Sequence, residues 1–167
     1  MINEIILEAL NKQLNAEFFT TYNYLAMVAK FKSMGLHGFA HWTRVQAKQE
    51  QVHAMKFFDF INERQGTIEW KGIGAPDVGW DGPLEAFEIA HLHEMQASTQ
   101  INGLVEMSIE RRDHATNAFL QWFVTAQVKE ETLTLEVVHN LKLVGDSGNG
   151  LFLLDSEMGK RSDRLET

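Results

Sequence analysis

The stretch AKQEQVHAMKFFDF, residues 47–60, decides the fold because its helical pattern of buried positions includes two side chains that such a pattern rarely contains. Steps of three and four residues from His53 reach Glu50 in one direction, and Phe57 and Phe60 in the other. On a helix these positions share one face, which is expected to pack against a core. An acid and an imidazole therefore lie where leucines are expected, so either the helical register is misread or both side chains are needed there.

The composition favours one helical domain. The chain has 167 residues, of which 44% are hydrophobic, and this is enough to build a single core over 1–167. It has only 2 prolines, Pro76 and Pro83, and both fall in one stretch. Since proline interrupts helices, long helices can form on either side of that stretch. The predicted class is all-α.

Composition also excludes several function classes. The chain has no cysteine, so zinc–thiolate sites, iron–sulfur clusters and thiol catalysis are excluded, and a cytoplasmic location is expected. A net charge of −8 opposes nucleic-acid binding, which depends on phosphate neutralisation, and favours attraction of cations. The N-terminus has no signal-peptide pattern. No run approaches the roughly 18 apolar residues of a membrane span, so no membrane partner is expected.

The order of periodic segments predicts a bundle. Four long segments are separated by SMGLHG at 33–38, by a long stretch at 66–83, and by a short break around 111–114. Their apolar seams alternate steps of three and four, which is the period of nearly parallel helix packing. We therefore predict a four-helix bundle over about 4–143 and a short fifth C-terminal helix over about 147–160.

The long connection between helices 2 and 3 predicts a crossover. Extended from Gly66 to Gly82, it could reach on the order of 55 Å, more than the roughly 42 Å of a helix of about 28 residues. It can therefore run the whole length of the bundle. Its apolar side chains Trp70, Ile73 and Trp80 indicate a packed loop rather than a disordered one.

Each of the four seams is interrupted by polar residues near its midpoint, so these residues are expected to meet in one layer. Burying even one bare charge costs several kcal/mol, and the seams contain no lysine or arginine, so the layer must protonate, pair or bind cations. Two divalent cations would balance four carboxylates. Oxygen-rich ligation with a lone imidazole suits Fe(II) or Mn(II). The layer comprises Glu17, Glu50, His53, Glu94, Gln127 and Glu130, with Tyr24 one heptad after Glu17.

This layer departs from one known pattern. Di-iron carboxylate bundles carry a Glu on each of two helices and a Glu-x-x-His motif on each of the other two. Here EQVH at 50–53 supplies one such motif, but the equivalent stretch of the fourth helix is QVKE at 127–130. The second imidazole is therefore missing.

Several stretches together resemble the bacterial non-haem ferritins across nearly the whole chain. The resemblance implies a four-helix bundle with a short fifth helix, a hollow shell of 24 subunits, and ferroxidase activity. In such activity Fe(II) is oxidised by dioxygen or hydrogen peroxide before mineral is stored inside. The matching stretches are LNKQLNAEFFTTYNYLAM around Glu17, QEQVHAMKFFDFI around Glu50, HEMQASTQIN around Glu94, FLQWFVTAQVKEE around Gln127, and LVGDSGNGLFLLD before the last helix.

The resemblance also implies roles for individual residues. Glu17, Glu50 and His53 are similar to the ligands of a first iron, and Glu50 to a carboxylate that also bridges to a second iron. Glu94 and Gln127 are similar to the groups at the second iron.

Two further residues are similar to residues near the iron centre of the family. Three other positions depart from the family pattern. Glu130 matches a position that links the iron pair to a third iron site, and Tyr24 matches a tyrosine close to the centre. Relatives with a full third site carry extra acids, whereas this chain has Gln49, Ala126 and Lys129. A weak third site is therefore expected.

A haem is not expected. Haem-carrying relatives have a methionine ligand between the Glu and His of the second helix, where this chain has Val52. They also have the second Glu-x-x-His motif.

Three alternatives remain open at this point. A DNA-protecting mini-ferritin would carry basic tails, but this chain ends in the mixed-charge GKRSDRLET. A di-metal oxygenase or catalase would need an open cavity, whereas Phe57, Ile101 and Phe123 are expected to fill the seam. A helical assembly without enzymatic activity would have solvated acids.

Two surface features complete the expectations. Asp113 follows the break between the third and fourth helices, where it is expected to cap a helix; by resemblance, it or Asn117 would line an ion-entry channel. The fifth helix is very apolar, which favours burial in an oligomer. By resemblance, Leu151 and Leu154 would make its contacts.

Overall fold

The computed structural model of the protein describes residues 2–166, and within this range it contains five α-helices and no strand. This confirms the all-α class, the long crossover between the second and third helices and the short fifth helix. In these same residues no helix is both long and apolar enough to cross a membrane. The helices are α1 (Glu4–Ser33), α2 (His37–Glu63), α3 (Pro83–Glu110), α4 (His114–Val144) and α5 (Gly148–Met158).

Local sequence signals explain where the helices begin. The side chains of Asn3, Asp113 and Ser147 accept hydrogen bonds from backbone N–H groups in the first turns of α1, α4 and α5. Such caps satisfy donors that have no partner inside the helix. Pro83 begins α3, where its missing N–H costs nothing.

The helices pack as two pairs, α1 with α2 and α3 with α4, and their core is divided in two. One apolar cluster includes Phe31, Phe39 and Phe87, and the other includes Leu10 and Phe123. On every bundle helix the buried residues between the two clusters are polar, except for Ala126 on α4. The predicted polar layer therefore lies at a single depth, between two apolar clusters that exclude water from both sides.

The crossover at 66–82 runs along α1, as predicted. Asn11 and Asn15 bind the backbone of its first part, and Lys30 binds the carbonyl oxygens of Val78 and Trp80 in its last part. Because these anchors lie at opposite ends of α1, the connection spans the bundle.

Of the three large apolar side chains on which the prediction of a packed crossover rested, only one is buried. Trp80 is buried, with 3% of its surface exposed, but Trp70 is 65% exposed and Ile73 is 49% exposed. Trp70 does contact the rings of Phe18 and Phe58 at centroid distances of 6.0 and 6.1 Å. It therefore lies on the surface of the bundle rather than inside it.

Helix α5 packs against the beginning of α2 through a close backbone approach. A Cβ atom on Gly38 would lie 1.6 Å from the carbonyl oxygen of Asp155, so only glycine fits there. The Asp155 side chain accepts a 2.9 Å hydrogen bond from the backbone N–H of Phe39. Glycine and aspartate together fix the position of α5 on the bundle.

The expected contact residues of α5 need correction. Leu151 and Leu154 are partly buried and pack against the core of their own chain. The side chains that remain exposed are Phe152, at 74%, and Leu153, at 65%. In a helix that is apolar nearly all round, the sequence pattern does not reveal which face meets the bundle.

After α5 the chain turns back over the bundle. Residues 160–166, which we call the C-terminal strap, lie against α2 and α4, with contacts from His41 to Gln49 along α2 and at Lys129 on α4. The strap therefore covers the side of the bundle on which α2 and α4 carry their part of the polar layer.

Candidate metal centre

Three predicted ligands form a compact buried cluster. Glu17 from α1 and Glu50 and His53 from α2 each offer a donor atom, and these atoms all lie within 4.8 Å of one another. Their exposed fractions are 4%, 2% and 0%. Over residues 2–166, no other group of three or more acidic, histidine or cysteine side chains is arranged this closely. The cluster has the size and the donor atoms of a metal site.

The imidazole of His53 has an unpartnered nitrogen aimed into this cluster. Its Nδ1 lies 3.2 Å from Oε2 of Glu50 and 3.8 Å from Oε2 of Glu17, but without the alignment of a hydrogen bond. The edge of the ring contacts Trp122 and Phe123. Buried polar atoms almost always have a partner, so this nitrogen is suited to a ligand that the cluster would bind.

Glu94 and Gln127 occupy the facing side of the layer. The Tyr24 hydroxyl donates a 2.7 Å hydrogen bond to Oε1 of Glu94. The Gln127 amide donates to the backbone oxygen of Glu94 at 3.2 Å and lies 3.5 Å from its Oε2. These three residues are buried and lie next to the compact cluster, but they are not part of it.

Glu130 joins the layer through a glutamine. Nε2 of Gln46 donates one 2.6 Å hydrogen bond to Oε1 of Glu50 and another, also of 2.6 Å, to Oε2 of Glu130. All six predicted ligands are therefore at one level. The structure divides them into the compact cluster and a looser set of Glu94, Gln127 and Glu130.

Burial and mutual repulsion shift the ionisation of these groups. Burial raises the pKa of Glu17 and, with the nearby Glu50 charge, raises the pKa of Glu94 well above its usual range. The same causes raise the pKa of Glu130 to about 7. Burial alone would lower the pKa of His53, but the Glu50 and Glu17 carboxylates raise it well above its usual value. A bound cation would therefore compete with protons for these groups.

Sequence analysis missed three groups that hold these acids, two directly and one through another side chain. Gln13 donates a 2.7 Å hydrogen bond to Glu17, just as Gln46 donates to Glu50. Both glutamines lie four residues before their acid, and this repeated spacing is a signal that could have revealed them. The third, Arg161, reaches Gln46 at 2.7 Å from outside the bundle helices. The expectation that no basic side chain approaches the layer overlooked it.

Two of the three positions that depart from the family pattern, Gln49 and Lys129, bind the C-terminal strap. The side-chain amide of Gln49 donates a 3.0 Å hydrogen bond to the backbone oxygen of Glu166 in the strap and accepts a 2.9 Å bond from the backbone N–H of the same residue. Lys129 lies 3.1 Å from both carboxylate oxygens of Glu166. Ala126 is buried beside them. The strap thus covers the place where extra acids would lie.

Local contacts account for the residues at the turn between α3 and α4. Asp113 caps α4 and pairs with Arg64 at 3.1 Å; although burial opposes it, Arg64 lowers the pKa of Asp113. Asn117 donates to the hydroxyl of Ser108. Capping by Asp113 is therefore confirmed.

A second Glu-x-x-His spacing does not contribute to the layer. Glu136 and His139 on α4 have the same separation as Glu50 and His53, but both are exposed. Spacing alone therefore does not identify the ligands, because the depth of the helix face decides whether they meet other acids.

Comparison with known proteins identifies the family. A family model described as Ferritin-like domain matches residues 7–144. A bacterial non-heme ferritin of Staphylococcus aureus is 34% identical over 97% of this chain and 98% of its own length. One of Bacteroides fragilis is 37% identical over 96% and 100%.

Solved structures agree with this result. An open pore ferritin from the hyperthermophilic archaeon Archaeoglobus fulgidus is 44% identical, with a TM-score of 0.95 over 97% of this chain and 100% of that one. A humanized archaeal ferritin is also 44% identical, with a TM-score of 0.96 over the full length of both chains. Sequence and structure together show that the chain belongs to the ferritin family.

Proposed function

We propose that the protein is an iron-storage ferroxidase, which oxidises Fe(II) at a paired site inside each subunit. The ferric product would be stored as mineral in a hollow shell of 24 copies in the cytoplasm. Membership of the ferritin family and the fold support iron storage. The observation that carries the enzymatic part is the buried cluster of Glu17, Glu50 and His53, with its unpartnered imidazole nitrogen.

The chemistry of the donor set supports iron as the substrate. Carboxylate oxygens with a single imidazole bind Fe(II) well, and the chain has no thiolate that would favour softer metals. In this proposal Glu17, Glu50 and His53 hold one Fe(II), and Glu94, Gln127 and Glu130 face the other. A carboxylate bridge holds two metals about 3.5–4 Å apart, and Glu50 lies between the two groups.

A site for two irons also matches the number of electrons that the oxidant takes up. Each Fe(II) gives up one electron, so two irons reduce one dioxygen to hydrogen peroxide, or one hydrogen peroxide to two waters, with uptake of two protons. The protein positions both irons next to one oxidant. The raised pKa values of Glu94 and Glu130 mean that Fe(II) binding releases protons inside the layer.

Oxidation kinetics test the proposal. Aerobic addition of Fe(II) should give a fast phase that saturates near about two irons per subunit, and Glu50→Ala combined with His53→Ala should abolish it. The matched control is Glu136→Ala combined with His139→Ala, which removes the same residue pair from an exposed face. An unchanged fast phase in the first variant would overturn the proposal.

Exposed apolar surface supports assembly into an oligomer. Leu143, Phe152 and Leu153 are 86%, 74% and 65% exposed near the C-terminal end of the bundle. Clustered apolar side chains of this size are typical of contact surfaces. Sedimentation of the full chain should show one large species, and Phe152→Lys should give smaller species with unchanged helical content. A monomeric wild-type chain would overturn the assembly.

A further inference from the structure

The first part of the C-terminal strap is fixed by one arginine that points toward the bundle. The Arg161 guanidinium lies over the Trp42 ring, 4.1 Å from its centroid. It donates a 3.2 Å hydrogen bond to the backbone oxygen of Trp42 and a 2.7 Å bond to Oε1 of Gln46. The backbone oxygen of Arg161 also lies 2.8 Å from Nε2 of His41. The side chain therefore has a single fixed position.

Gln46 connects this arginine to two carboxylates of the metal centre. Its amide nitrogen donates to Glu50 and Glu130, and its amide oxygen accepts from Arg161. A primary amide has two N–H donors and one carbonyl oxygen, so both N–H groups and the oxygen are occupied. If the amide rotated by half a turn, its oxygen would face two carboxylates and its N–H groups would face a guanidinium. Arg161 therefore fixes the orientation of Gln46.

The placement of this charge is not explained by an ion pair. Within residues 2–166, Arg161 makes no salt bridge, whereas Arg64 pairs with Asp113. Burial lowers the pKa of Arg161, which means that its position is costly for the charged form. A surface arginine without an acidic partner would ordinarily extend into water. Here it contacts an amide that in turn holds two acids.

We propose that Arg161 is a positioning residue of the metal centre, which acts through Gln46 on the Glu50 and Glu130 carboxylates. The inference rests on the proposed function, because these carboxylates matter only if the layer binds metal. Gln46 holds one oxygen of each carboxylate and leaves the other oxygen for a cation.

The effect should fall on the second metal more than on the first. The first metal depends on Gln46 only through Glu50, because Gln46 makes no hydrogen bond to Glu17 or His53. Two of its three ligands therefore stay in place without Arg161. Glu130 has Gln46 as its side-chain partner. Loss of groups that orient metal ligands typically costs about 10- to 100-fold in metal affinity. We expect a loss of that size at the second metal only.

The far part of the strap provides a control. Asp163 lies 3.7 Å from Lys48, and Glu166 pairs with Lys129, with all four side chains largely exposed. Exposed ion pairs contribute little. A chain ending at Ser162 removes both pairs and the two hydrogen bonds between Gln49 and Glu166, and it keeps Arg161. It therefore separates the arginine from the rest of the strap.

Anaerobic titration with Co(II), followed by its visible absorption, tests the inference without any measurement of oxidation. The wild-type chain should bind two equivalents. Arg161→Gln should weaken binding of the first equivalent only slightly and of the second about 10- to 100-fold, and the loss in Arg161→Lys should lie between those of the wild type and Arg161→Gln. The chain ending at Ser162 should behave as wild type. Helical content and sedimentation are compared for every variant, and Arg161→Lys decides the result if Arg161→Gln does not fold.

A double-mutant cycle separates positioning from a merely structural role. If Arg161 acts through Gln46, Gln46→Met should reproduce the loss, and the combined variant should lose no more than either single variant. Additive losses would overturn the inference, as would a second equivalent bound normally by both Arg161 variants. Equal weakening in the chain ending at Ser162 would also overturn it. If the wild-type chain itself binds no Co(II), the proposed function fails instead.

Discussion

The hydroxyl of Tyr24 donates a 2.7 Å hydrogen bond to Oε1 of Glu94, and so joins α1 to α3 at the level of the metal centre. Both side chains are buried, with exposed fractions of 3% and 2%. Burial and the nearby Glu94 charge raise the pKa of Tyr24 well above its usual value. The phenol therefore stays protonated and remains a donor over the whole physiological range.

Tyr24→Phe should destabilise the metal-free protein, because Glu94 would lose its phenolic hydrogen-bond donor. A buried acceptor that is left without its hydrogen-bond partner costs about 1–3 kcal/mol. Denaturant unfolding in the presence of a chelator measures this cost. Tyr22→Phe is the matched control, since Tyr22 is 45% exposed. Equal unfolding midpoints for the two variants would contradict the prediction.

The metal-free protein should become less stable as the pH rises from about 5 to about 7.5. Burial and the nearby Glu50 charge raise the pKa of Glu130 to about 7 in the folded chain, whereas a glutamate in the unfolded chain has a pKa near 4.5. The folded state therefore binds more protons in this window, and stability falls as the pH rises. His53, whose pKa is also raised, contributes stability below its unfolded value of 6.5 and loses it at higher pH, in the same direction.

Unfolding free energies in a chelator should thus differ by on the order of a few kcal/mol across this range. Glu130→Gln should flatten the dependence. Asp113 does not affect stability in this pH range. Its pKa is lowered, so the stability that it contributes is lost only when the solution becomes more acidic than this range. Stability that rises with pH in the metal-free wild-type chain would be the opposite of what these residues predict.

Gly38→Ala should displace α5 from the bundle. The added methyl group would overlap the Asp155 carbonyl oxygen, and overpacking of this kind costs about 1–3 kcal/mol or more. Gly103→Ala is a matched control within α3, where a Cβ would meet nothing within 4 Å. It should raise stability by about 0.5–1 kcal/mol. Thermal unfolding compares the two, and a similar effect of both substitutions would show that the close approach is absent.

Asp113→Ala and Asp113→Asn should separate capping from ion guidance. The alanine variant loses both the cap of α4 and the Arg64 pair, which should cost about 1–2 kcal/mol. Asparagine caps nearly as well, so that variant should keep most of the stability. If capping is the whole role, Asp113→Asn should take up Fe(II) at the wild-type rate. Slower uptake at unchanged stability would instead indicate a channel role.

The fold and the depth of the polar layer were predictable because they follow from periodicity. Glu17, Glu50, Glu94 and Gln127 are placed by their positions between apolar seam residues, and helices of similar length bring such midpoints together. Register was decisive here. EQVH at 50–53 lies on the buried face of its helix, whereas the identical spacing at 136–139 lies on an exposed face.

What the sequence did not reveal comes from segments without periodicity. Arg161 lies in an irregular strap, and no repeat relates it to Gln46, which is more than a hundred residues earlier in the chain. The orientation of α5 was missed for a related reason. With apolar residues at 151–154, its pattern does not distinguish Leu151, which faces the bundle, from Phe152, which faces away.

Helix α1 holds the first part of the crossover in a way that leaves the amino-acid sequence of that part free to vary. In the crossover, the amides of Asn11 and Asn15 bind backbone groups alone, those of Thr67, Glu69 and Lys71, as a neighbouring β-strand would. Because no side chain of these three residues takes part, new peptide sequences could replace them while the chain keeps its path. The two asparagines thus make this segment an attachment point for foreign epitopes on the outside of the subunit.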